Sequence, residues 1–478
     1  MLFYTIEFLI FSVVLLSVLS VVHRNEPRKL VLLVASYIFY MWWNPAFILL
    51  ILFATSVNYV VGLALADEHN QQRRKLLLTF GLVASLGLLG YFKYAGFLAD
   101  NTLYVMTLLG FEVHWTSIEI TLPVGISFYI FQTLSYTIDV YRREISECRS
   151  PLDFALFVAF FPQLVAGPIV RAADFIPQLR NPIRISCDQA TFFLIVRGLA
   201  KKVLIADNIA ILADRIFDDP GSFPSIIIWL AAISFAIQIY CDFSGYSDIA
   251  IGISRVIGFR LPLNFDHPYL ARNPSDFWRR WHISLSSWLR DYLYISLGGN
   301  RGGSFKTYRN LILTMLLGGL WHGASWNFAI WGLLHGCFLV VHRFYGNLRR
   351  RNPSYRPSTG LINHLISICA MQYFVLLAWI AFRVPEVDAL QIALHRFIFF
   401  DFNFAISNIG LGAASFFSSL ALMFAFGVLH LASRRVGQID RFLGTVSMPT
   451  ATLICILVGF AACLLWPMTD VPFIYFQF

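Results

Sequence analysis

Residues 310–341 read NLILTMLLGGLWHGASWNFAIWGLLHGCFLVV, with no Asp, Glu, Lys or Arg among them. A helix needs about 20 apolar residues to cross hydrocarbon. This run is longer and carries Gly, Ser and His at its middle, so it reads as two membrane-embedded pieces. Apolar runs recur along the whole chain, which is 58% hydrophobic and 13% charged, with a mean hydropathy of +0.67. Soluble domains carry about 25% charged residues, and one water-soluble core cannot hide this much apolar surface. The class is therefore an all-α, polytopic membrane protein. The runs are continuous, not alternating, which excludes a transmembrane β-barrel.

Working outward, candidate spans fall at 2–22, 30–43, 46–66, 76–92, 121–140, 152–168, 190–212, 225–258, 310–341, 361–382, 411–432 and 451–468. The 225–258 run is expected to break, and about 11–13 transmembrane or re-entrant helices result. FFPQLVAGP at 160–168 is the best re-entrant candidate, because Pro and Gly inside it demand irregular backbone, tolerated at membrane depth only inside protein or beside water. Basic residues cluster in alternate short loops: Arg24, Arg28 and Lys29; Arg73, Arg74 and Lys75; Arg142 and Arg143; Arg343, Arg349, Arg350, Arg351 and Arg356; Arg434, Arg435 and Arg441. The positive-inside rule puts these in the cytoplasm, the 93–120 loop outside and the N-terminus extracytoplasmic. The start of the chain has no basic n-region and no cleavage site, and reads as a retained span. No separate soluble domain or internal repeat is visible, so 1–478 reads as one membrane domain with its catalytic core at about 121–342.

The net charge of +9 has its explanation in those loops, and no nucleic-acid-binding motif accompanies it. The seven cysteines form no CxxC and sit mostly in apolar runs, as small hydrophobes do. No metal site is expected.

Between 258 and 310 the sequence stops looking like membrane. NPSDFWRRWHISLSSWLRDYLYISL opens with Ser275 as a candidate cap and Asp276 in the first turn. Phe277, Trp281, Trp288 and Tyr292 fall on one stripe of a helix, with Arg279, Arg280 and Arg290 largely off it. GGNRGG, 298–303, makes a turn whose glycines permit positive φ. Two readings stand. One is a membrane-surface helix with snorkelling arginines. The other is a basic, aromatic wall in which Arg279, Arg280, Arg301 and Lys306 receive a phosphate-bearing donor such as a coenzyme A thioester. Arg290 with Asp291 also reads as an ion pair.

Of eleven histidines, His282 and His322 are embedded between tryptophans and apolar residues. Buried polar groups in hydrocarbon must be paired or wet. His322 reads either as an interhelical hydrogen-bonding residue or as a base at the foot of a water-accessible pocket. Gly318, Gly319 and Gly323 leave room there for another backbone or a substrate. On an unbroken helix His335 and His342 would point about 140° away from His322, as satisfied polar residues near the cytoplasmic end. No HExxH, serine elbow or Cys–His pattern supports protease, hydrolase or thiol chemistry.

FWRRWHISLSSWLRDYLYISLGGNRGG followed by LTMLLGGLWHG resembles the membrane-bound O-acyltransferase family. LPVGISFYIFQTLSYTIDVYR at 122–142, FFPQLVAGPIVR at 160–171, CDFSGYSDIAIG at 241–252 and the closing PFIYFQF resemble its alginate O-acetylation branch. The D-alanyl-transferring branch shares the two histidines but typically lacks LGGNRGG. The resemblance implies a ring of tilted helices around a thinned centre, with a tunnel leading to His282 and His322. It makes His322 the principal catalytic residue and His282 the orienting one, with Trp321, Gly323, Trp281, Gln163 and Pro162 lining or supporting the tunnel. It further implies an acyltransferase in a bacterial inner membrane, with no permanently bound cofactor, that takes acetyl from acetyl-CoA or another acyl thioester in the cytoplasm. The acetyl would serve O-acetylation of an extracytoplasmic polysaccharide, through a partner acyltransferase. His322 would act as base or carry the acyl group itself. Within the family, action on peptidoglycan or transfer of D-alanyl groups is the alternative. A proton-coupled transporter and an export scaffold are the rival classes; the absence of an inverted repeat and the scarcity of intramembrane carboxylates weigh against the transporter.

Overall fold

Apolar side chains on every face of a segment leave the backbone no partner but itself, and in hydrocarbon only the helix satisfies it locally. Accordingly every regular element among the described residues of the computed structural model is helical. The structure describes residues 1–111, 120–351, 360–403, 409–436, 442–465 and 473–474. Arg356, Arg441, the outer part of the 93–120 loop from 112 onward, most of the closing PFIYFQF and the side chains of Arg350 and Arg435 lie outside them. All seven cysteines are free.

Among the described residues, six helices are long and apolar enough to cross a membrane: Pro45–Asp67, Gln71–Leu108, Ser225–Ile257, Trp326–Arg349, Leu361–Arg383 and Ala413–Arg434. Ile6–Val21 and Met448–Leu464 are apolar but shorter. The remaining expected spans are shorter helices, interrupted ones or helices with polar faces, and so fall below that length and hydropathy. The structure also departs from the sequence reading at two spans. Gln71–Leu108 is one helix of 38 residues, so much of the expected 93–120 loop is helical. Ser225–Ile257 is continuous over 33 residues, with no break. Its carboxylates Asp242 and Asp248 find cations on neighbouring helices, described below, and the backbone has no need to unwind for them.

The chain divides into two compact units, 1–187 with 250–262, and 188–249 with 263–478. In the first, a buried polar relay ties three helices together. Asn58 donates to Ser85 Oγ at 2.9 Å and Thr137 donates to Asn58 Oδ1 at 2.7 Å. Two of the loop cations turn out to be committed within the protein. The buried Arg74 guanidinium donates to the carbonyls of Leu65, Glu68, Val140 and Tyr141, closing two helix ends. Lys29, 4% exposed, pairs with Glu26 and Asp153, each at 2.8 Å. The FFPQLVAGP segment is irregular as its Pro and Gly require. Pro151–Ala159 ends, Phe161–Leu164 makes one short turn, and residues 160–168 are all buried. Gln163 donates to Phe157 O at 2.7 Å, and a Cβ on Gly125 (φ +73°) would stand 2.4 Å from Leu164 O.

The second unit contains Gln189–Leu199, a π-helical turn Ala200–Ala206, Asp207–Phe217 and most of Ser225–Ile257. The longer helices that follow among the described residues are Gly303–His322, Trp326–Arg350, Leu361–Arg383, the amphipathic Val387–Ile398, Ala413–Val436 and Met448–Leu464. Between residues 263 and 303 lie short helices and turns. The expected amphipathic helix is cut there. Asn273, not Ser275, is the N-cap, its side chain accepting from Asp276 N–H. Pro274–Trp278 runs five residues, and His282 interrupts before Ile283–Trp288 and a π turn, Leu289–Tyr294. Phe277, Trp281, Trp288 and Tyr292 are nonetheless all buried. The stripe was real, but tertiary packing bends the chain that carries it.

Candidate active site

His322 is the last residue of Gly303–His322. Gly323 is extended at φ −161°, and a new helix starts at Trp326. The two helices fold back on each other so closely that glycines are required along the seam. A Cβ on Gly319 would stand 2.2 Å from Phe328 O, one on Gly332 would stand 2.4 Å from Met315 O, and one on Gly336 3.0 Å from Ile312 Cα. Small residues that let helix backbones approach are the usual device where lipid supplies no hydrophobic drive. A Cβ on Gly323 would stand 2.1 Å from the Phe328 ring. Of the two uses foreseen for these glycines, the structure fills the space with backbone and an aromatic ring. Asn327 Nδ2 donates to Val384 O at 2.7 Å and holds the start of the returning helix.

The reversal leaves His322 6% exposed, its ring centroid 5.0 Å from Trp321, 5.0 Å from Trp331 and 5.3 Å from Phe382. It also overturns the expected direction of His335. The helix is not continuous, and His335 packs 4.7 Å from the same Trp331 ring.

His282 is fully buried and held in the left-handed region, φ +41° and ψ +57°. Such a conformation in a non-glycine residue costs on the order of 1–3 kcal/mol and persists only when its surroundings impose it. Asn264 does so. Its Oδ1 lies 3.1 Å from His282 Nδ1 and accepts from Ser284 Oγ at 2.8 Å, while its carbonyl accepts from Ile283 N–H at 2.9 Å. Since that oxygen accepts, Nδ1 carries the proton and Nε2 the lone pair. Burial pushes the His282 pKa down to about 3, so the ring is neutral at ordinary pH. Phe243 stands edge-on at 4.7 Å, and the Trp321 ring lies 6.1 Å from His282. One indole therefore touches both histidines. Trp281 backs the group, stacked on Phe277 at 5.8 Å and packed on Trp379 at 4.9 Å. Pro162 and Gln163, by contrast, belong to the first unit.

The basic residues separate into two kinds. Arg280 is committed within the protein: Nε to Asp276 Oδ1 at 2.9 Å and Nη1 to Asp266 O at 3.3 Å. Arg290 pairs with Asp291 at 2.6 Å. Arg279, Arg301 and Lys306 are exposed. Gly298, Gly299, Gly302 and Gly303 all have positive φ, as the turn required. Asn310 fastens the turn by donating to Leu297 O and Gly299 O, both at 3.0 Å.

The sequence reading missed Asn264 and the charges behind the site. Lys202 bridges Asp207 at 2.7 Å and Asp242 at 2.9 Å, all three buried. Ile474 N–H also donates to Asp242, at 2.8 Å, and Phe473 packs on Phe243 at 6.3 Å. Asp248 takes Arg197 at 2.8 Å and Lys201 at 2.7 Å. The available signal was opposite charges inside two apolar runs, 190–212 and 225–258, since isolated charges there must pair.

The apolar spans and the helical elements of the described residues define a polytopic membrane protein, and comparison with known proteins resolves its class. The model of the membrane-bound O-acyltransferase family matches residues 140–380. The chain is 40% identical to the probable alginate O-acetylase AlgI of Azotobacter vinelandii, over 94% of this chain and 95% of that protein. It is also 40% identical to the peptidoglycan O-acetyltransferase of Helicobacter pylori, over 76% and 72%. Against the teichoic acid D-alanyltransferase of Streptococcus thermophilus identity is 29%, over 50% and 61%. The chain belongs to the membrane-bound O-acyltransferase family, on its alginate O-acetylation branch, and is a membrane O-acyltransferase.

Proposed function

We propose that this protein takes an acetyl group from a cytoplasmic thioester, acetyl-CoA or a related donor, and delivers it for O-acetylation of an extracytoplasmic polysaccharide of the alginate type. An extracytoplasmic acyltransferase of the cell's inner membrane system is the partner that completes the transfer to polymer. The observation that carries the reading is the single Trp321 indole touching both His282 and His322 at the point where two close-packed helices reverse.

In this reading His322 is the base. The acceptor hydroxyl gives its proton to the imidazole as its oxygen bonds to the thioester carbonyl carbon. The carbon–sulfur bond then breaks, and the thiolate takes the proton from the imidazolium. His322 ends a helix, whose C-terminal carbonyls favour the positive charge the ring acquires. His282, held neutral by burial and fixed in one tautomer by Asn264, orients the reacting groups. Arg279, Arg301 and Lys306 steer the donor's phosphates. Arg280, tied to Asp276, shapes that surface and does not take phosphate itself. Trp281, Trp321 and Gly323 support the passage.

The test is His322→Ala and His282→Ala in cells, with polymer acetylation read by mass spectrometry and membrane insertion by immunoblot. Each variant should lose acetylation, and the double variant should be no worse than His322→Ala, since residues acting as a unit do not add. Near-normal acetylation in a well-inserted His322→Ala variant refutes the assignment.

A further inference from the structure

His335 is 1% exposed, and neither ring nitrogen has a hydrogen-bond partner among the described residues. Its walls are aromatic. Phe277 stacks on it at 5.9 Å, Trp278 stands at 5.0 Å, Trp331 at 4.7 Å and Phe338 at 5.9 Å. The indole N–H groups of Trp278 and Trp331 are also buried without partners among the described residues, and the two indoles touch each other at 5.8 Å. Buried polar atoms are nearly always bonded, and one left unbonded is a standing cost. Here four such atoms lie on three mutually touching rings. The third ring, Trp331, also touches His322, at 5.0 Å.

We propose that His335, Trp278 and Trp331 form a binding subsite for an uncharged carbonyl or amide group on the donor's arm, one ring away from His322. The proposal rests on the thioester-donor reading above and names the part of the donor that this cluster recognises. The chemistry selects the ligand. Two fixed indole N–H donors want acceptor oxygens, and the imidazole offers one donor and one acceptor, the complement of an amide. The aromatic walls bring no cation with them, so a phosphate belongs elsewhere. Biological acyl thioesters carry the acyl group on an arm of amides separated by methylene groups, whether the arm is free on coenzyme A or fixed to a carrier protein. Such an arm alternates polar and apolar sections as this cluster does.

The experiment uses the full-length protein reconstituted in vesicles together with its extracytoplasmic partner acyltransferase, with alginate oligosaccharide as acceptor and release of free thiol as the readout. The probes are the thioacetate of N-acetylcysteamine, which has an amide two carbons from sulfur, and S-ethyl thioacetate, which has none. His335→Phe should lower kcat/KM for the amide probe about tenfold, the worth of one or two lost neutral hydrogen bonds. It should leave the amide-free probe unchanged. His335→Gln, which still donates and accepts, should recover most of the loss. Acetyl-CoA and an acetyl-loaded carrier protein run in parallel separate the two sources, because the natural donor is the one that the wild type turns over with the higher kcat/KM, and that donor loses rate in His335→Phe as the amide probe does. Equal losses on both small probes, or no rescue by His335→Gln in a monodisperse protein, overturn the subsite. A wild-type protein that releases thiol from none of the four overturns the thioester reading instead.

Discussion

Asn264 holds His282, and replacing it separates geometry from charge. Asn264→Ala removes the acceptor of His282 Nδ1–H, of Ser284 Oγ–H and, at 3.3 Å, of Ser284 N–H, all three in buried residues. A buried donor left without its acceptor costs about 1–3 kcal/mol. With partial relaxation the three together should destabilise the protein by about 3–5 kcal/mol. The same change frees His282 to leave its strained left-handed backbone and to exchange tautomers, and transfer should fall about a hundredfold. Asn264→Asp keeps every acceptor and adds a charge. A carboxylate at hydrogen-bond distance favours imidazolium, raising a histidine pKa by about one to three units. His282 starts from about 3, so its protonation moves toward the working range. A reaction that needs it neutral should then show its acid limb at higher pH than wild type, with the alkaline limb unmoved. Stability comes from thermal unfolding in detergent followed by size exclusion, and activity from acetyl transfer between pH 5 and 8. An Asn264→Asp enzyme with an unshifted acid limb, or an Asn264→Ala enzyme with wild-type rate, would refute the role given to His282.

Other outcomes follow from the same geometry. Gly332→Val drives a side chain into Met315 O and should cost about 1–3 kcal/mol through overpacking, lowering the apparent Tm and transfer together. Lys202→Met leaves Asp207 and Asp242 buried without their shared cation; about 3–5 kcal/mol is lost, read as poor yield of monodisperse protein. Neutralising Arg301 and Lys306 should raise donor KM with little change in kcat, the mark of lost ground-state binding, whereas Arg280→Gln should act on stability, through Asp276 and the Asp266 carbonyl. For orientation, in a cysteine-less background a cysteine at Gln71 should react only with permeant thiol reagents in intact cells, and one at Thr116 with impermeant reagent as well; the opposite pattern reverses the direction of transfer.

Composition and periodicity alone carried the class, because hydrocarbon admits few backbone solutions and long apolar runs can satisfy only one of them. Local chemistry carried more. Pro and Gly in FFPQLVAGP foretold irregular backbone, the glycines of GGNRGG foretold positive φ, and a polar interruption in an apolar run singled out His322. Tertiary structure decided what depends on neighbours distant in sequence. Nothing local says that 274–294 bends at His282, because the bend is imposed by Asn264, 18 residues upstream. Nothing local says that Ser225–Ile257 stays whole, because its carboxylates are neutralised from Arg197, Lys201 and Lys202. Nor does helical phase alone place His335 beside Trp331 and hence near His322. It assumes a straight helix, and the reversal after Gly323 brings to one wall two histidines that a straight helix would hold on different faces.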